Sequence, residues 1–204
     1  MKIAIETLMS QNITVVYKYL DIQSVDSREI KRMLGKEILV SEVPDMMVFV
    51  RPDGPLIVQL GNQRIRVTLQ GEQKSVEPLW DLATNCHYLL PSADLVAYGF
   101  NYDIGIISKE GDFIKYLMKA FITKPKQLVE NLGGGLNSIT PRIRYQRENV
   151  RYDLVLEPID KSHLEAHFNS HYQYDGIEIT EGTLEKSYKE TFNYWNEILP
   201  RLFE

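Results

Sequence analysis

The order of strand and helix signals along these 204 residues predicts an α+β protein. It is expected to comprise two similar β-α-β-β-β-α units, residues 1–93 and 94–204, packed as one globular body about a pseudo-twofold axis. Three observations carry that expectation. Two groups of three alternating apolar stretches are joined by turn-forming residues. Each group runs into a segment with helical spacing, and each is preceded by a strand and a short helix.

In the first unit, residues 1–5 and 13–20 read as strands. A short helix over 27–34 follows, with Gly35 at its end. A meander comes next over 46–51, 55–60 and 63–69, turned by Pro52-Asp53-Gly54 and by Gly61-Asn62. Glycine and asparagine tolerate the positive φ that tight hairpins need. In the last of these strands Ile65, Val67 and Leu69 are expected to face the core, and Arg64, Arg66 and Thr68 the solvent. A helix over 75–90 closes the unit, capped by Ser75, stopped by Pro91, and buried through Leu79, Leu82, Ala83, Cys86, Leu89 and Leu90.

The second unit opens with a strand over 95–107 that has two unlike faces. Val96, Tyr98, Phe100, Tyr102, Ile104 and Ile106 form an apolar ribbon. Ala97, Gly99, Asn101, Asp103 and Gly105 form a small or polar face, suited to close packing or to flooring a cavity. Helical segments fall between 112 and 130. Gly133-Gly134-Gly135 comes after a helix and before a strand, which suits a helix end and a turn rather than a phosphate loop. The second meander runs over 139–146, 150–157 and 163–172. Leu184, Tyr188, Phe192, Trp195, Leu199 and Leu202 then recur at steps of three and four, marking an amphipathic closing helix.

The hairpin Leu56-Ile57-Val58-Gln59-Leu60 with Arg64-Ile65-Arg66-Val67, the strand Tyr98-Gly99-Phe100-Asn101-Tyr102 and the closing helix together resemble a sporadically distributed prokaryotic family with no assigned activity. The resemblance implies the fold and no catalytic residues.

Composition narrows the function classes. The 44% hydrophobic and 25% charged fractions are those of a globular chain. The apolar stretches run to about five residues, against about twenty for a spanning helix, and 1–5 lacks the apolar region of a signal peptide. A single cysteine, Cys86, suits a reducing compartment, so a cytoplasmic location is expected, with no membrane partner. Net charge is −5, unevenly spread: residues 124–152 carry 6 basic and 2 acidic side chains, and 153–204 carry 4 and 11. Nucleic acid is not an expected partner, because phosphate neutralisation needs excess positive charge. Cys86 beside His87 is not expected to form a dyad, since adjacent helix residues point apart.

Two candidate sites remain. In the second meander, Tyr145 is expected opposite Tyr152 and Leu154 opposite Ala166. That register makes a row of Arg144, Asp153 and His167 across three strands, with Arg142, Arg151, Glu165 and His163 beside it and His171 on the same face. The row suits an anionic or polar ligand, or Asp153 orienting His167 as a base. The other candidate is a pocket floored by Gly99, with Asn101 and Asp103 at its lip and Tyr98 supplying contact area. No metal or cofactor is expected: His163 and His167 would sit about 13 Å apart on a regular strand, too far to share an ion, which leaves only Glu165, His167 and Asp153 to consider. Three functions stay open: a binder of a small polar or anionic ligand in a groove between the units, a protein-partner module, and a small-molecule enzyme using His167, Asp153 and an arginine. Self-association through a sheet edge, giving a homodimer, is compatible with all three.

Overall fold

A computed structural model describes residues 1–35, 37–52, 56–71, 78–90, 94–174, 176 and 178–204. The expected roles of Asp53-Gly54, Ser75 and Pro91 fall outside them. The fold is α+β, with a nine-stranded antiparallel sheet and, among the described residues, five α-helices.

The first half contributes β1 (Ile3–Tyr17), α1 (Ser27–Leu34), β2 (Leu39–Val43), β3 (Met46–Arg51), β4 (Leu56–Gly61), β5 (Arg64–Gln70) and α2 (Leu79–Tyr88). The second contributes β6 (Leu95–Ser108), α3 (Phe113–Phe121), α4 (Pro125–Leu132), β7 (Arg142–Arg147), β8 (Val150–Pro158), β9 (His163–Gln173) and α5 (Glu181–Arg201). In the sheet the order is β2-β3-β4-β5-β1-β6-β9-β8-β7. Strands of the first half therefore occupy one side and those of the second half the other. They meet where β1 pairs with β6 along nearly the whole length of both. This junction is a hydrogen-bonded ladder, not the groove anticipated between the units.

Three elements depart from expectation. Residues 1–5 and 13–17 belong to one strand, β1, and the chain leaves it after Tyr17. Its register against β6 shifts between Ile5 and Thr7 and between Leu8 and Ser10, so the two-residue alternation that marks a strand breaks there. The first meander gains a fourth strand, β2, at the sheet edge, where exposed Leu39 and Val43 give no inward pattern to read. Helix α2 starts at Leu79, after Pro78, which supplies no side-chain cap. The hairpin chemistry of Gly61-Asn62 holds: Asn62 and Gln63 take φ of 51° and 59° between β4 and β5.

Among the described residues, the helices that contribute to the core, α1, α2, α3 and α5, bury one face of the sheet. Helix α2 lies on β5 and β1 beside α5, and α1 approaches β3. The closing helix crosses the second half, Tyr145 meeting Tyr194 at 3.0 Å and Tyr172 meeting Thr191 at 2.6 Å. Trp195, fully buried, packs on Phe168 with ring centroids 3.9 Å apart. Phe113 of α3 meets Phe203 just beyond α5. Covered residues such as Ile13, Val15, Val58, Val67, Phe100, Leu154 and Phe168 belong to one buried cluster. At about 1.5–3 kcal/mol per large side chain, this one-sided core supplies the driving force for folding. The side chains between them point to the open face.

Gly99 has a different reason from the one anticipated. It floors no cavity. A β-carbon there would collide with the carbonyl oxygen of Ser170 on β9, so β6 and β9 approach this closely only because the residue is glycine. Gly99→Ala is expected to cost about 1–3 kcal/mol, read as a lowered urea midpoint at unchanged slope; an unchanged midpoint would show that the strands give way freely.

Candidate functional site

The open face is organised in rows of side chains that stand directly opposite one another on successive strands. One row runs Asn12, Asn101, Asn169, Asp153, Arg144 across β1, β6, β9, β8 and β7. Asn101 is its hinge, donating from Nδ2 to Asn12 Oδ1 at 2.7 Å and accepting from Asn169 Nδ2. At the far end Asp153 accepts from Arg142 Nε at 2.8 Å and from Arg144 Nε at 3.1 Å. These contacts, Arg142 foremost, lower the Asp153 carboxyl below its ordinary range despite some burial.

Arg144 does stand opposite Asp153, as expected, but His167 does not. Asp153 faces Asn169, and His167 faces Val155. The pairing is displaced by two residues because the β8–β9 turn is centred on Lys161, one residue beyond the expected centre, with Pro158 opposite Leu164. The Asp160 carboxylate accepts from the backbone N–H groups of Ser162 at 2.7 Å and His163 at 2.8 Å, and also meets the His163 imidazole. A two-residue shift preserves the face of every side chain, which is why the open face is the anticipated one although its pairs are not.

His167 joins another cluster. Its Nδ1 lies 2.9 Å from Asp103 Oδ1 and its Nε2 3.6 Å from Glu157. Ser10 donates to the other oxygen of Asp103. Serine and imidazole thus contact the same carboxylate from two sides, and no hydrogen bond joins Ser10 to His167. A nucleophile needs the base on its own hydroxyl, so this geometry ties strands together and does not activate Ser10. Tyr98 is on the opposite face from Asn101 and Asp103. It stacks on Tyr172 at 4.9 Å and reaches Ser187 of α5. Tyr98 and the set Gly99, Asn101 and Asp103 thus lie on opposite faces, as the alternation implies, so Tyr98 adds no contact area beside Asn101 and Asp103. Cys86 is buried, its thiol pushed up to about 12 by burial, and His87 meets Tyr17 at 2.9 Å. Among the described residues no group of three or more His, Cys, Asp or Glu side chains could hold a metal, and no helix is long and apolar enough to cross a membrane.

What the face does contain is a groove of about 580 Å³ over β7–β9, lined by Arg144, Gln146, Arg151, Asp153, Asn169 and His171. A second hollow of about 400 Å³ lies beside it, sharing Gln146 and Arg151. Asp153, the carboxylate in the lining, is already held by two arginines. Arg151 makes no ion pair among the described residues. It stands opposite His171, whose imidazole is shifted below its ordinary range first by burial and then by the Arg151 charge. The hollow is open and shallow, with polar side chains set beside Tyr145 and Tyr152, and its side chains carry a net positive charge. The sequence places Arg151 beside the expected row and His171 on the same face; Asn169 is gathered with them only by the register.

Comparison of the chain with protein-family models and with curated proteins finds no match. The site stands on its own geometry.

Arg151→Gln is expected to raise the His171 titration midpoint toward the ordinary imidazole value, followed through the ring carbon-bound protons by NMR. The sign follows from removing a like charge, which had disfavoured the protonated ring. A midpoint that does not move would mean that the two side chains are not coupled.

Proposed function

We propose that the protein binds a small anionic ligand, through a carboxylate or phosphate group, in the groove on β7–β9. The carrying observation is Arg151, a guanidinium without an ion pair among the described residues, lining both hollows. Guanidinium presents a planar fork of donors that matches a carboxylate or a phosphate. Asn169 and Gln146 add neutral amides, able to donate to an oxygen anion and to accept from a ligand hydroxyl. Arg144, bonded to Asp153 through Nε, has further N–H groups to offer. The groove belongs to residues 94–204, and the first half serves the same sheet as its continuation.

Inorganic pyrophosphate is the first probe. Calorimetry at low ionic strength is expected to find binding that Arg151→Gln weakens about tenfold or more, since a charge-assisted hydrogen bond contributes about 1.5–3 kcal/mol and tenfold is about 1.4. Equal affinity in the two proteins would defeat the reading, as would no binding.

Binding should also depend on pH. A bound anion offsets Arg151 and favours imidazolium, so the His171 pKa is higher in the complex than in the free protein. Affinity must then rise as pH falls through the titration of His171, and His171→Asn must flatten that rise. Pyrophosphate gains protons over part of this range, so the comparison between the two proteins carries the test.

A further inference from the structure

The row that contains Arg151 does not end at the groove. It continues from Arg151 through His171 on β9, Gly99 on β6 and Thr14 on β1 to Arg66 on β5. Directly opposed residues of neighbouring strands share a face, so Arg66 looks out on the same open surface as the groove.

Arg66 is held in an unusual state for a surface arginine. It is half-buried, and its Nε donates to Thr14 Oγ1 at 3.3 Å, which keeps the side chain against the sheet. Thr14 is itself only 9% exposed and donates to Asn12 Oδ1. Arg66 makes no ion pair among the described residues. Its neighbour along the strand on this face is Arg64, and its cross-strand partner on β4 is the neutral Gln59. Burial, with Arg64 adding to it, lowers the Arg66 pKa. A partly desolvated cation beside a like charge is an uncompensated cost in the free protein, which an anion would offset.

Between the two cationic ends Gly99 has no side chain, and Gly99 and Ala97 are themselves buried beneath their neighbours. Asn101 and Ala97 flank Gly99 along β6 on the same face. From Arg66 to His171 the backbones are three strand spacings apart, about 14 Å, and the Arg66 side chain reaches toward β1 through its contact with Thr14.

We propose that Arg66 with Thr14 forms a second anion subsite, and that the ligand is an elongated molecule with an anionic group at each end. One end occupies the β7–β9 groove and the other Arg66, with the linking segment crossing the surface above β6. The inference rests on the groove reading above and adds to it the shape and the double charge of the ligand. Either carboxylate or phosphate ends satisfy this chemistry.

The test is a series of α,ω-dicarboxylates from succinate to dodecanedioate, each compared with the monocarboxylate of the same length by calorimetry or NMR titration. In the parent protein the diacid is expected to exceed its monoacid by about tenfold or more over a narrow range of lengths, as a second linked contact requires. Arg66→Gln should abolish that excess while pyrophosphate and monoacids bind as before, which also shows that the variant is folded. Arg64→Gln should retain most of the excess. Bisphosphonates of matching length then separate phosphate-ended from carboxylate-ended ligands. Pyrophosphate binding with no length optimum, or an optimum that survives Arg66→Gln, overturns the second subsite and leaves the groove standing. Failure of pyrophosphate and of every acid overturns both.

Discussion

A sheet covered on one side divides its inner strands into an apolar face and a wet face, and the rest of this protein follows from that division. Antiparallel strands tolerate such an arrangement because alternation lets each strand serve a core and a solvent at once. Ile13, Val15, Phe100, Ile104, Leu154 and Phe168 fill the covered side, and α5 seals it through Trp195. The cost falls on the other side, where hydroxyls, amides and charges must satisfy one another or water. The polar rows are the outcome, and their geometry is inherited from a backbone that the core has already positioned.

The same division explains why polar side chains line up on the open face although none of their individual contacts is strong. Cross-strand ion pairs and amide bonds on a wet surface contribute about 0.2–1 kcal/mol each. What the rows supply is placement. Asn101 ties β1 to β9, Asp103 ties β1 to β9 through Ser10 and His167, and Asp153 gathers two arginines of β7. Once those groups are satisfied internally, Arg151 and Arg66 stand out as the cations on the same row without a countercharge among the described residues. An anion would complete a network that the chain leaves incomplete.

The fold was largely legible because its signals are local. The closing helix, the hairpin at Asn62 and the turn at Glu148 each depend on a few neighbouring residues. The losses came where tertiary pairing decides. Bulges in β1 broke its alternation, and β2 at the edge has no second face to bury. The two-residue displacement between β8 and β9 arises from the hydrogen bonds of Asp160, which no matching of apolar residues reports. It kept Arg142, Arg144 and Asp153 together while sending His167 to Asp103. Arg66 was visible only as a solvent-facing residue of the first half, since its alignment with Arg151 passes through the β1–β6 junction.

The proposed groove would hold an anion over β7–β9, and amide NMR maps position residue by residue. Amide NMR spectra recorded with increasing pyrophosphate should show perturbations concentrated at Gln146, Arg151, Asn169 and His171, with the covered face around Trp195 unmoved. Shifts centred on the helices, or scattered evenly over the surface lysines and arginines, would contradict the account and return the open face to a purely structural role.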